Sequence, residues 1–118
     1  MRDFMNITRA LSDENRVRIL MALRDHELCV CQIIALLDLA PSTISKHLSI
    51  LHQARLIEKR KAGRWIYYRL CDATSCPACS DALRWVCNAL ATDPQILADE
   101  ATLMKINTME PEELCKIL

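Results

Sequence analysis

Apolar residues recur along most of the chain with a helical period and alternate over one stretch only. In "FMNITRAL" (residues 4–11), Phe4, Ile7 and Leu11 fall on one side of a short amphipathic helix. Ser12 and Asp13 are capping residues. "ENRVRILMAL" follows them, with Val17, Leu20 and Met21 at i, i+3 and i+4, which predicts a second helix with Arg16 and Arg18 facing outward. "RDHEL" reads as a connection. "CQIIALLDL" predicts a short buried helix ending near Asp38, because Pro41 stops any continuation. Ser42 is a good N-cap for the next helix, Thr43 to Ala54, whose inward face carries Ile44, Leu48 and Leu51. Its other faces carry Ser42, Thr43, Ser45, Lys46, His47 and Ser49, short donors and cations suited to phosphates and base edges in a major groove.

The alternating stretch is "LIEKRKAGRWIYYRL" (56–70), rich in Ile, Trp and Tyr, with Gly63 able to supply the positive φ of a hairpin turn. It predicts two strands with Lys59, Arg60, Lys61 and Arg64 around the tip, and Trp65 and Tyr68 packing that hairpin. Two helices joined by a tight turn, then a basic hairpin, make a winged helix-turn-helix: mainly α with a small β-hairpin. Pro77 suits the first turn of a further helix over about 77–92, with Leu83, Val86 and Leu90 as its stripe. "TMEPEELCKIL" reads as one more short helix. The chain thus divides into a winged helix-turn-helix DNA-binding domain, 1–92, and an acidic, partly helical tail, 93–118.

With 118 residues, 52% apolar and 25% charged, the composition is that of one soluble globular domain. No apolar run approaches the ~20 residues of a membrane span. "MRDFMNITRAL" is polar and periodic rather than a signal peptide, so the expected location is the cytoplasm, with no membrane partner. A net charge of zero hides an uneven distribution. Residues 42–70 carry Lys46, Arg55, Lys59, Arg60, Lys61, Arg64 and Arg69 against Glu58 alone, whereas 93–118 carry six acids against Lys105 and Lys116. A basic middle points to double-stranded DNA, with a mixed-sign solvated face as the plain alternative.

Seven cysteines in a cytoplasmic chain with a single glycine point away from a disulfide framework and toward metal, redox chemistry or burial. Cys29 and Cys31 are one residue apart, a spacing that meets on an extended segment but points about 200° apart on a helix. "CPAC" (76–79) places thiols at a helix start, where thiolates are favoured.

In "LSDENRVRILMAL", "ELCVC" and "PSTISKHLSILHQARLIEKRKAGRWIYYRL", and in their order, residues 4–92 resemble the ArsR/SmtB family of metal- and metalloid-responsive repressors. The resemblance implies a non-enzymatic homodimer, joined through the first helix and the 77–92 helix, that leaves a palindromic operator when an ion binds. "ELCVC" is similar to the site of the arsenite and antimonite sensors, which maps onto Cys29 and Cys31. Those sensors often carry a third cysteine three residues later, where this chain has Ile34. Cadmium and lead sensors add ligands before this segment, but no cysteine precedes Cys29. Zinc sensors use Asp and His after the wing, but the only histidines are His26, His47 and His52.

The resemblance therefore implies As(III) or Sb(III) as inducer, with no organic cofactor. Soft thiolates select such ions, and one bound thiol makes the second step intramolecular. The bland reading of Cys29 and Cys31 is two small core residues. For Cys76 and Cys79 the readings are auxiliary ligands, a zinc site pooling both pairs, a separate redox pair or bystanders. Cys71, Cys87 and Cys115 read as structural. The competing functions are a thiol-based redox-responsive DNA-binding regulator, a sensor of Cd, Pb or Zn, and, more remotely, a CxxC thiol oxidoreductase.

Overall fold

The computed structural model describes residues 1–72 and 74–117; Ala73 of the 1–92 segment and Leu118 of the 93–118 tail lie outside them. The element order is α1 (Arg2–Ala10), α2 (Glu14–Ala22), β1 (Leu28–Cys29), α3 (Val30–Leu37), α4 (Pro41–Gln53), β2 (Ile57–Ala62), β3 (Trp65–Leu70), α5 (Pro77–Leu90), α6 (Pro94–Ile106) and α7 (Pro111–Ile117). A winged helix-turn-helix results, with α3 and α4 as the helix pair and β2–β3 as the wing.

Local chemistry explains most boundaries. Asp13 caps α2, its carboxylate accepting from the Asn15 and Arg16 amides at 2.8 and 3.2 Å. α3 ends at Asp38, which takes the left-handed conformation at φ 55°. α4 departs from the expected start: Ala40 is its N-cap and Pro41 its first residue, so Ser42 lies inside the helix instead of capping it. A proline at that position has no amide to leave unsatisfied, and its fixed φ suits the first turn. At the other end, Arg55 at φ 64° with bonds from Leu56 N to Leu51 O (3.2 Å) and Arg55 N to His52 O (3.0 Å) forms a Schellman turn that delivers the chain into β2. Gly63, at φ 62°, turns the wing.

The wing belongs to a three-stranded antiparallel sheet of order β1-β3-β2, one strand more than the alternation predicts. Leu28 pairs with Tyr68 and Cys29 with Tyr67. Two residues are too few to show a period, so β1 is invisible to pattern reading.

The core runs through Ile19, Leu20, Leu28, Ile33, Ile44, Leu48, Leu51 and Leu56, all fully buried. Leu103 and Ile106 of α6 and Leu114 of α7 join it, and both helices pack on α3. The sequence reading gives the tail one short helix, whereas α6 precedes it, started by Asp93, whose carboxylate accepts from Gln95 N and Ile96 N.

The outward placement of Arg16 and Arg18 is also corrected. Arg16 is 9% exposed. Its guanidinium donates to Ala10 O at 3.0 Å and Arg9 O at 3.1 Å, satisfying carbonyls at the end of α1. Arg18 forms a two-pronged bond with buried Asp99 of α6, Nε–Oδ2 and Nη2–Oδ1 both at 2.9 Å. The Asp99 bond, outweighing the cost of burial, holds the Arg18 guanidinium above its ordinary pKa. Planar guanidinium–carboxylate matching makes this the clasp between α2 and α6. Asp99→Ala is expected to destabilise the fold by about 1–3 kcal/mol, the cost of leaving a largely buried donor unpaired. Urea unfolding of the two proteins measures it, and an unchanged midpoint would show that α6 is held by apolar packing alone.

Candidate nucleic-acid interface and thiol sites

Apolar spacing turns Ile44, Leu48 and Leu51 of α4 inward, and the intervening residues are thereby presented to solvent. Ser42, Thr43, Ser45, Lys46 and Ser49 are exposed and His47 is half-buried. Arg16 Nη1 lies 3.2 Å from His47 Nδ1. Arginine only donates, so in this contact Nδ1 is the acceptor. Arg16 thus ties the end of α1 to α4, a role the sequence reading missed because a buried arginine leaves no mark in an i, i+3 pattern.

Lys59, Arg60, Lys61 and Arg64 are all exposed on the wing. The two arginines already have partners. Arg60 Nε donates to Glu27 at 2.8 Å, with its guanidinium 4.7 Å from the centre of the Tyr67 ring. Arg64 Nη2 donates to Glu112 of α7 at 3.0 Å and lies 5.3 Å from the Trp65 ring. Arg60 holds the Glu27 carboxyl below its ordinary range. Among the described residues Lys46, Lys59 and Lys61 join no ion pair.

Cys29 and Cys31 straddle the junction of β1 and α3. Cys29 is extended (φ −81°, ψ 163°), lies in the ladder beside Tyr67 and serves as N-cap, with Gln32 Oε1 accepting from its amide at 2.8 Å in a capping box that has sulfur where a hydroxyl is usual. Cys31 is already helical. Cys29 is completely buried and Cys31 nearly so.

The sulfur that meets Cys31 is not Cys29 but Cys115 of α7: the two are joined as a disulfide across 84 residues, with Cα atoms 5.7 Å apart. This corrects the expectation of a chain without disulfides. The tail's helices return to α3, a long-range consequence that spacing cannot display. Cys76 and Cys79 stay together at the start of α5. Cys76 is its N-cap, its sulfur accepting from Cys79 N at 3.3 Å, while the Cys79 thiol donates to Ala54 O at 3.4 Å. Among the described residues no three His, Cys, Asp or Glu side chains already stand close enough to share an ion.

Hydrogen bonding with the side chain and amide of Cys79 holds the Cys76 thiol below its ordinary pKa. Burial, with the neighbouring Cys76 sulfur adding to it, pushes Cys79 up to about 12. Burial raises Cys71 and Cys87 as well. Only the thiolate is nucleophilic. Iodoacetamide at pH 8 is therefore expected to modify Cys76 well before Cys79, as read by peptide mass mapping; equal rates would contradict the assigned hydrogen bonds.

Comparisons with known proteins agree with this architecture. The family model described as "Bacterial regulatory protein, arsR family" matches residues 13–59, from the cap of α2 into β2. The chain is 43% identical over 63 residues to a transcriptional repressor SmtB homolog of a Synechocystis strain, covering 53% of this chain and 48% of that protein. It is 39% identical over 67 residues to the arsenical resistance operon repressor of Escherichia coli K12, covering 56% and 57%. A helix-turn-helix-type transcriptional regulator of Methanocaldococcus jannaschii is 40% identical over 67 residues, covering 56% of this chain and 75% of that one. The chain spans about half the length of the first two of these relatives. Among solved structures, a homodimeric winged helix-turn-helix DNA-binding domain from Mycobacterium bovis, titled a possible ArsR-family transcriptional regulator, superposes with a TM-score of 0.62 at 28% identity, covering 85% of this chain and 82% of that one. By its winged helix-turn-helix and these matches, the chain belongs to the ArsR family of bacterial regulatory proteins.

Proposed function

We propose that the protein is a homodimeric repressor that binds operator DNA through α4 and the wing and is released when trivalent arsenic or antimony binds thiolates at the start of α3. The observation that carries this reading is the placement of Cys29 and Cys31. Cys29 pairs with Tyr67 of the wing strand β3, and Cys31 lies in the first turn of the helix that packs under α4. A disturbance at this junction therefore reaches both DNA-facing elements at once.

Two sulfurs on one arsenic stand within about 4 Å of each other, given bonds of roughly 2.3 Å by analogy with zinc. Residue 29 is extended and residue 31 helical, so bringing both sulfurs onto one ion distorts the first turn of α3. That distortion shifts α4 and favours the DNA-free form, by a coupling of roughly 1–3 kcal/mol. Relatives named as an SmtB homolog and an arsenical resistance repressor agree with an ion as effector. The choice of arsenic and antimony rests on the "ELCVC" resemblance and the soft donor set. Cys76 and Cys79, grouped with each other, serve at most as auxiliary ligands.

The disulfide between Cys31 and Cys115 favours one second reading, a regulator that responds to thiol oxidation. Titrating arsenite against the operator complex with oxidants excluded separates the two: release supports ion sensing, and a response to oxidant alone supports the redox reading.

Lys46, Lys61 and Arg64 are placed to contact phosphates, and Ser42, Thr43, Ser45 and His47 lie nearest the bases. Lys46→Ala is expected to weaken binding to all DNA sequences alike and to lower the salt slope by about one. A slope near zero for the intact protein would remove DNA binding from the reading. Cys29→Ser and Cys31→Ser are each expected to bind operator in a mobility shift and to ignore arsenite; release of both variants at wild-type arsenite concentrations would place the sensor elsewhere.

For the dimer, Phe4 and Met5 of α1 are 59% and 53% exposed and Trp85 of α5 is 68% exposed, large apolar side chains on the two helices expected to meet a second copy. Sedimentation is expected to give a dimer for the wild type at micromolar concentration and a monomer for Trp85→Glu. A wild-type monomer, with and without DNA, would overturn the assignment.

A further inference from the structure

Trivalent arsenic takes three thiolates, and the junction of β1 and α3 supplies only two. Three residues after Cys31 stands Ile34, which has no donor. The fold nevertheless brings a third sulfur to this place. Cys115 meets Cys31 although α7 lies at the far end of the chain. The meeting is anchored on several sides. Leu114, beside Cys115, is 4% exposed within the core. Gln32 of α3 donates to Asn107, just after α6, at 3.1 Å. α6 itself is clasped to α2 by Arg18 and Asp99.

We propose that Cys115 of α7 completes, with Cys29 and Cys31, a three-thiolate site for a trivalent arsenic or antimony species. The proposal rests on the reading of Cys29 and Cys31 as sensor ligands and extends it to a helix outside the helix-turn-helix. Cys31 and Cys115 are already close enough to bond, so an ion between them needs only a small separation of α7 from α3. Cys29 is the ligand that must move, rotating its sulfur away from the amide it caps.

The chemistry balances without any change in the oxidation state of arsenic. Arsenite is As(OH)3, and each thiol forms one As–S bond as one As–O bond breaks. The thiol proton leaves with the hydroxide as water, so three thiols release three waters. The disulfide must first be opened. A phosphine does this by giving two electrons to the sulfurs, taking oxygen from water to become the phosphine oxide and leaving a proton on each of Cys31 and Cys115.

A site closed by Cys115 also clamps α7 in its seat, and seated α7 holds Glu112 against Arg64 of the wing. Ion binding then withdraws one wing cation from the DNA as well as distorting α3. Each linked thiol raises the effective concentration of the next, so losing the third is expected to weaken arsenite at least about tenfold.

The test uses full-length protein reduced with a phosphine, with arsenite as probe. X-ray absorption at the arsenic edge is expected to count three sulfur neighbours in the wild type and in a Cys87→Ser control, but two sulfurs and one oxygen in Cys115→Ser, with affinity at least about tenfold weaker. Phenylarsine oxide, which accepts only two thiols, is expected still to bind Cys115→Ser through Cys29 and Cys31, and operator binding in a mobility shift shows that the variant is folded. Three sulfurs and wild-type affinity in Cys115→Ser, while Cys29→Ser and Cys31→Ser lose arsenite, would overturn the role of Cys115 and leave the two-cysteine sensor standing. Wild-type arsenite binding by all three variants would overturn both.

Discussion

The rest of the structure depends on a helix that has no face fit for water. α3, "VCQIIALL", has a single polar side chain, Gln32, and no charge in eight residues. A helix apolar on all sides has to be covered on all sides. α4 covers it on one side, the sheet carrying β3 lies along it, and α6 and α7 pack on what remains. Without the last two helices the fold would leave residues such as Ile33, Leu36 and Leu37 less completely enclosed, and these are among its most buried. The return of the chain's end to its middle follows from that requirement.

Chemistry then follows from packing. Because α7 must lie on α3, one of its side chains faces the first turn of that helix, and there Cys115 meets Cys31. Because β1 must end where α3 begins, Cys29 is both the last residue of a strand and the cap of a helix. Two sulfurs that sequence distance separates by 84 residues become neighbours, while two separated by one residue are held in different backbone conformations. Proximity along a chain and proximity in space give opposite answers here.

This contrast marks what the sequence alone could disclose. The helix-turn-helix and the wing are legible because they are local. Ile44, Leu48 and Leu51 declare the inner face of α4, and Gly63 the turn between alternating segments. The candidate DNA-facing residues follow by subtraction, and the structure leaves Ser42, Thr43, Ser45, Lys46 and Ser49 exposed. What escapes is what depends on distant partners. Arg16 and Arg18 read as solvent-facing because nothing near them in sequence says that Ala10 O or Asp99 will receive them. β1 is too short to alternate. α6 carries a clear start signal in Asp93 and Pro94, but its apolar positions Ile96, Leu103 and Ile106 are diluted by exposed Leu97 and Met104, which blur its stripe.

The charge pattern shows the same interplay at the surface proposed to meet DNA. A chain of zero net charge approaches DNA only if its cations are gathered and its anions kept away or easily displaced. Here the anions are not far off. Glu27 holds Arg60, and Glu112, from the acidic tail, holds Arg64. Both arginines also lie over aromatic rings of the wing, so they remain positioned when a carboxylate leaves. Exposed ion pairs are weak and screened by salt, so a phosphate backbone of high charge density competes for such arginines effectively. The carboxylate that matters is then the one whose own position is controlled. Glu27 lies next to β1 and is fixed by the sheet. Glu112 rides on α7, so it stays against Arg64 only as long as something at the other end of the interaction, the α3–α7 contact around Cys31 and Cys115, keeps that helix in place. A thiol chemistry acting at that contact therefore has a direct electrostatic route to the wing, in addition to the route through the backbone of α3.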